Sequence, residues 1–122
     1  MLNLASVMIG SSKPEVLGEF YKKVFQRSAD MEGDGWYGWS VGDAYLTIGP
    51  HSEVKGKSKE PPRIMFNLET DDVEDEFARI KELGAQVVTE PYEMGGGMIA
   101  TFADPDGNFF QLMTPWETDM RN

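Results

Sequence analysis

Apolar residues run almost without interruption through positions 4–9 and stop at Gly10-Ser11-Ser12, which predicts a buried strand leading into a turn. Ser12-Lys13-Pro14-Glu15 then reads as a helix start, with a hydroxyl N-cap, Pro in the first turn and Glu three residues on to close a capping box. Val16 or Leu17, Phe20, Tyr21, Val24 and Phe25 recur at helical spacing, so one apolar face is expected through about Phe25. Beyond Gln26 the pattern shortens to pieces at 28–31, 36–41 and 44–48. Gly33, Gly35, Gly42-Asp43 and Gly49-Pro50 separate them, and the spacing predicts a three-stranded meander.

The stretch from His51 to Pro62 is polar, carries Lys55, Lys57 and Lys59, and closes on Pro61-Pro62, a composition that builds no core. We read residues 53–61 as a linker between modules spanning 1–52 and 62–115. The second module repeats the order of the first. A strand is expected at 63–69 and a helix from about Asp71, with Val73, Phe77, Ile80 and Leu83 on one face and Gly84 as its stop. Strands follow near 86–89, 98–103 and 108–113, the last two joined by a tight hairpin at Asp106-Gly107 or Gly107-Asn108. Val7-Met8-Ile9 falls on Ile64-Met65-Phe66 and Phe20 on Phe77 at a shared spacing of 57, which predicts duplication. Neither half has a way to bury its sheet alone, so each sheet is expected to face the other or a partner chain.

Composition narrows the reading. With 122 residues, 40% of them hydrophobic, the chain supports one domain with one core. It has no cysteine, which removes disulfides, thiolate nucleophiles and zinc-cysteine clusters. No run approaches the roughly 20 apolar residues that span a bilayer and no leader pattern is present, so a soluble, cytoplasmic protein is expected. The 21 acidic against 11 basic residues give a net charge of −10, which disfavours nucleic acid and anionic membrane as partners.

The element order, Glu19-Phe20-Tyr21 in the first helix, and the run Phe102-Ala103-Asp104-Pro105-Asp106-Gly107-Asn108-Phe109-Phe110-Gln111-Leu112 resemble the vicinal oxygen chelate superfamily. This superfamily includes glyoxalase I, extradiol dioxygenases, methylmalonyl-CoA epimerase, fosfomycin-resistance enzymes and bleomycin-resistance proteins. The resemblance implies an α+β glyoxalase/bleomycin-resistance fold, two tandem βαβββ modules forming cupped mixed sheets. It also implies a divalent metal held by His, Gln or Glu from both modules and polarising vicinal oxygens of a substrate. Carried over by the motifs, the ligand positions fall on Ser6, Thr47, Arg63 and Gln111. Two hydroxyls, a permanent cation and one carboxamide do not make a divalent site, so no metal, no cofactor and no catalytic residue is expected.

Period-two alternation places Met8 with Ser6, Tyr45 with Thr47, Met65 with Arg63, and Phe109 and Met113 with Gln111. Together with Trp39, offered for stacking on a planar ligand, these ten residues are the candidate lining of a soft, apolar cleft. Gly95-Gly96-Gly97 reads as a loop before the seventh strand. The only histidine, His51, sits in the polar stretch and reads as solvated. There is no nucleophile elbow, phosphate-binding glycine loop or dinucleotide fingerprint. The leading expectation is a homodimer that binds a small organic molecule without metal, similar to the bleomycin-resistance branch. Alternatives are a metal-dependent lyase, isomerase or dioxygenase drawing on His51, Glu53, Glu90 and Glu93, and a non-catalytic dimerisation module.

Overall fold

The computed structural model describes residues 1–115, which divide into two compact units, one ending at Lys57 and one beginning at Ser58. The first contains β1 (Ser6–Ser11), α1 (Pro14–Phe25), β2 (Met31–Gly33), β3 (Trp36–Val41) and β4 (Ala44–Pro50). The second contains β5 (Phe66–Glu69), α2 (Val73–Glu82), β6 (Gln86–Met94), β7 (Gly97–Ala103) and β8 (Phe109–Met113). Each unit is thus a βαβββ module with a four-stranded mixed sheet, in the orders β1-β4-β3-β2 and β5-β8-β7-β6. The first strand of each module runs parallel to the last, while the other pairs are antiparallel. The α+β fold with two tandem βαβββ modules is therefore as the sequence predicts.

In the first module α1 covers the sheet face that carries Tyr37, Trp39, Leu46 and Ile48, all buried. Tyr37 and Trp39 stack at 6.1 Å, Phe25 meets Trp39 edge-on at 5.4 Å, and the Trp39 indole N–H donates to the Arg27 carbonyl at 3.2 Å. The helix comes this close because its contact residue is Gly18, which lies against the face of the Tyr37 ring. In the second module Phe77 of α2 stacks on Phe102 at 5.0 Å, and Phe102 continues to Phe110 at 5.7 Å and Phe110 to Phe66 at 6.0 Å. Each such buried side chain contributes about 1.5–3 kcal/mol.

The helix faces correct the repeat register. α1 buries Pro14, Leu17, Gly18, Tyr21 and Val24, and α2 buries Val73, Phe77 and Ile80. With Pro14 on Val73, Gly18 matches Phe77 and Tyr21 matches Ile80, two positions out of step with the spacing of 57. The matched property is the side turned to the sheet, and Phe20 is only half-buried.

Local chemistry shifts other boundaries. Lys13, not Ser12, holds the N-cap position of α1 and makes no side-chain cap bond, while Ser11 Oγ accepts from the Lys13 N–H at 2.9 Å. Asp72 caps α2 by accepting from the Asp75 N–H at 3.2 Å. Pro61–Arg63 forms a 3₁₀ turn, so β5 begins at Phe66 rather than at 63. Two prolines, with fixed φ and no N–H, suit such a turn and not a strand start. β6 runs on to Met94, past Pro91, with two register shifts against β7. An edge strand tolerates both proline and bulges.

At the DPDGN segment the buried Asp104 carboxylate accepts from the Asp106 and Asn108 backbone N–H groups, each at 2.9 Å, and from the Asn108 side chain. The Asp104 N–H donates to the Asn108 carbonyl at 2.8 Å, and Gly107 takes φ +83°. No helix among the described residues is long and apolar enough to cross a membrane.

Candidate functional site

Each sheet has one face under its helix and one face turned away, and strand alternation decides which side chains reach the second. In the first module the open face reads, rung by rung across the sheet, Gly33-Trp36-Gly49-Gly10, then Met31-Gly38-Thr47-Met8, then Ser40-Tyr45-Ser6. None of these residues is charged. Met8 and Met31 are exposed, and Trp36, Tyr45 and Thr47 are half-buried.

Glycines shape this surface. The Trp36 indole lies flat across Gly49, where an added Cβ would collide with Cε3, Cζ3 and Cδ2 of the ring. The hydroxyl end of Tyr45 lies over Gly38, whose added Cβ would stand 2.5 Å from the Tyr45 oxygen. Thr47 Oγ1 donates to the Val7 carbonyl at 3.5 Å. At the end of the face the Ser40 N–H donates to the Asp30 carboxylate at 2.7 Å, and Arg27 pairs with Asp30 at 2.8 Å and also reaches the Ser40 carbonyl. The Ser40 N–H first, and the Arg27 guanidinium second, hold the Asp30 carboxyl below its usual range. On the helix side, burial pushes the Tyr37 hydroxyl pKa up, aided by Glu32, Glu19 and Glu15.

In the second module the open face carries Asn67 and Glu69 of β5, Phe109, Gln111 and Met113 of β8, Ile99, Thr101 and Ala103 of β7, and Thr89, Tyr92 and Met94 of β6. Its centre is polar and ordered: Gln111 Nε2 donates to Thr101 Oγ1 at 3.0 Å, with Thr101 itself buried. Glu69 is the one charged residue among these positions.

Of the ten sequence candidates, Ser6, Met8, Tyr45 and Thr47 share the first open face, and Phe109, Gln111 and Met113 share the second. Met65 lies just before β5, half-buried. Two candidates are corrected. Trp39 lies on the opposite face, fully buried beneath α1, because its parity matches Tyr37 and not Trp36. Arg63 lies in the 3₁₀ turn, exposed and paired with Glu60 at 2.9 Å. The β5 residue that stands to Gln111 as Met8 stands to Thr47 is Asn67.

Sequence reasoning passed over Trp36, Asn67, Glu69 and Thr101. Part of a signal for Trp36 was present, since Gly38 shares its parity on β3 and leaves room on that face, whereas Gly49 joins the face only through the β3–β4 register. Gly95 and Gly96, at φ +60° and +83°, form a tight β6–β7 hairpin turn and not a loose loop. Among the described residues no three or more His, Cys, Asp or Glu side chains gather as a metal site would require.

Residues 6–113 match the model of a family described as glyoxalase-like domain. An uncharacterized Bacillus subtilis (strain 168) protein, YurT, is 40% identical over 52 residues, a match that spans 43% of this chain and 39% of that protein. A glyoxalase-related enzyme from Fulvimarina pelagi superposes with a TM-score of 0.78 at 16% identity, covering 98% of this chain and 95% of that one. A glyoxalase/bleomycin resistance protein/dioxygenase family enzyme from Burkholderia phytofirmans PsJN gives 0.75 at 20% identity, covering 93% and 98%. Lactoylglutathione lyase from Agrobacterium tumefaciens gives 0.71 at 17%, covering 92% of each chain. At these identities the structural likenesses speak to the fold alone.

Proposed function

The chain belongs to the glyoxalase-like domain family, and on that premise we propose that it binds a small organic molecule on its open sheet faces without recruiting a metal. The observation that carries this reading is the donor set at the central rungs. In the first module Met8 pairs with Thr47, a thioether and a hydroxyl, and in the second Asn67 pairs with Gln111, two carboxamides. Zinc and iron want imidazole, thiolate or carboxylate, and magnesium and calcium want anionic oxygen, so neutral groups of this kind do not offset dehydration of a divalent ion. The same groups suit a small molecule, because apolar and aromatic walls supply contact while a few hydroxyls and amides fix orientation.

Sequestration rather than turnover is our reading, since no strand position on either open face carries a histidine or a pair of carboxylates to move protons, although His51 borders the first face over Gly10. A homodimer fits the same reading. Leu2, Leu4 and Val7 are exposed at or before edge strand β1, and a second chain is one way to cover such an edge. Sedimentation at micromolar concentration checks this, and a monomer there would refute the dimer.

The test of the main reading has two arms. Purified protein is incubated with zinc, nickel, manganese and iron(II), desalted and subjected to elemental analysis, with far less than one metal per chain expected. A fragment collection is then screened by ligand-observed NMR, with binders expected among small aromatic compounds. Metal approaching one per chain overturns the metal-free reading, and a screen without binders overturns the ligand.

A further inference from the structure

We propose that Met94 is a reversible oxidation site, converted by hydrogen peroxide to its sulfoxide and held in that state by the Tyr92 hydroxyl. The chain has eight methionines and no cysteine, so peroxide meets no thiol first and thioether sulfur is its target. Beyond the terminal Met1, Met94 is the most exposed methionine among the described residues, at 60% against 47% for Met8 and 42% for Met31, while Met65, Met98 and Met113 are half-buried. Exposure selects the residue, and Tyr92 makes it a site. The two stand two positions apart on edge strand β6 and share a face. The Tyr92 O–H donates to Met94 Sδ at 3.7 Å, a weak bond because a thioether is a poor acceptor. A sulfoxide oxygen is a strong acceptor and lies one covalent bond from that sulfur. Met94 pairs with Gly97 and is followed by Gly95 and Gly96, so no side chain on the turn shields it.

The reaction balances with peroxide as its one co-reactant. A lone pair of Met94 Sδ attacks one peroxide oxygen, the O–O bond breaks as the S–O bond forms, and the departing hydroxide takes the proton of the transferred oxygen and leaves as water. Sulfur gives up two electrons and the peroxide accepts them. Because the Tyr92 O–H covers one of the two sulfur lone pairs, peroxide approaches the other, and one sulfoxide epimer prevails. Rotation about the flexible methionine side chain then turns the new oxygen to the Tyr92 hydroxyl. The product carries a polar tip in place of an apolar one, and methionine sulfoxide reductases return it to the thioether, each class acting on one epimer.

The test treats the protein with graded doses of hydrogen peroxide and follows each methionine by tandem mass spectrometry of its peptides. The epimers at Met94 are counted by reducing the oxidised material with each class of reductase in turn. Met94 should oxidise at the lowest doses, before Met65, Met98 and Met113, and one of its epimers should exceed the other by about threefold. Tyr92→Phe, which keeps the ring and removes the hydroxyl, should bring the two epimers close to equal. Met94 that oxidises only alongside the half-buried methionines overturns the site. Equal epimers in the parent, or a bias that persists in Tyr92→Phe, overturns the part given to Tyr92. The parental ratio needs no substitution, so the test survives a variant that fails to fold. No readout involves a ligand, so failure here leaves the ligand-binding reading intact.

Discussion

Gly18→Ala sets two effects against each other, and the structure decides the sign. At an ordinary helical position this change stabilises by about 0.5–1 kcal/mol, because glycine loses more backbone freedom on folding. Here the new methyl would stand 2.5–2.6 Å from Cε1, Cδ1 and Cζ of Tyr37. That is about 1 Å inside the usual carbon–carbon separation. The ring cannot swing away, since Tyr37 is 5% exposed and stacked on Trp39, which α1 also covers. Overpacking of this kind costs about 1–3 kcal/mol, so the net effect is a destabilisation of about 1–2 kcal/mol. In melting temperature this is a fall of about 3–8 °C. Urea unfolding followed by tryptophan fluorescence measures it, and the same change in a Tyr37→Leu background should be neutral or stabilising because the obstructing ring is gone. A Gly18→Ala protein as stable as the parent would refute the close packing of α1 on β3.

Asp104→Ala should cost about 2–4 kcal/mol by stranding the donors of Asp106 and Asn108, and amide hydrogen exchange at both residues should accelerate; unchanged exchange would show that the carboxylate does not order the turn. Trp39→Ala should cost about 3–5 kcal/mol as a cavity in the core, checked by chemical unfolding, whereas a surface role would leave stability intact. Arg63→Ala should change stability by no more than about 0.5 kcal/mol and leave fragment affinity unaltered, as titration of the variant would show. Asp30 carries a pH dependence: its folded-state pKa is lowered, so its contribution is complete above the ordinary value of 3.8 and fades as pH falls through the lowered value. Melting curves of the parent and of Asp30→Asn should therefore differ at neutral pH and converge in acid; a constant difference would contradict the Ser40 and Arg27 bonds.

Much of the architecture was legible because its causes are local. The spacing of Leu17, Tyr21 and Val24 and the glycines between strands follow from side-chain period and backbone freedom, and the elements appear near where those predict, although β1 runs on through Gly10-Ser11 and, as an edge strand, is largely exposed where a buried strand was expected. The same locality explains the misses. The match of Phe20 with Phe77 compared residue types, whereas the fold matches Gly18 with Phe77, because in one module the sheet supplies the ring against the helix and in the other the helix supplies it. Arg63 read as strand because apolar residues follow it, while the two prolines before it hold the chain in a turn.

The sequence by itself determined the order of elements and their repetition in two modules, since these depend on residue identity and on periods of two and 3.6. It also determined that Trp36 and Trp39 point to opposite sides of one strand. Which of those sides the helix covers was decided only by tertiary packing: alternation has no sign, and the choice is made where Gly18 lets α1 settle on Tyr37 and Trp39. That choice buries one tryptophan in the core and lays the other on the open face.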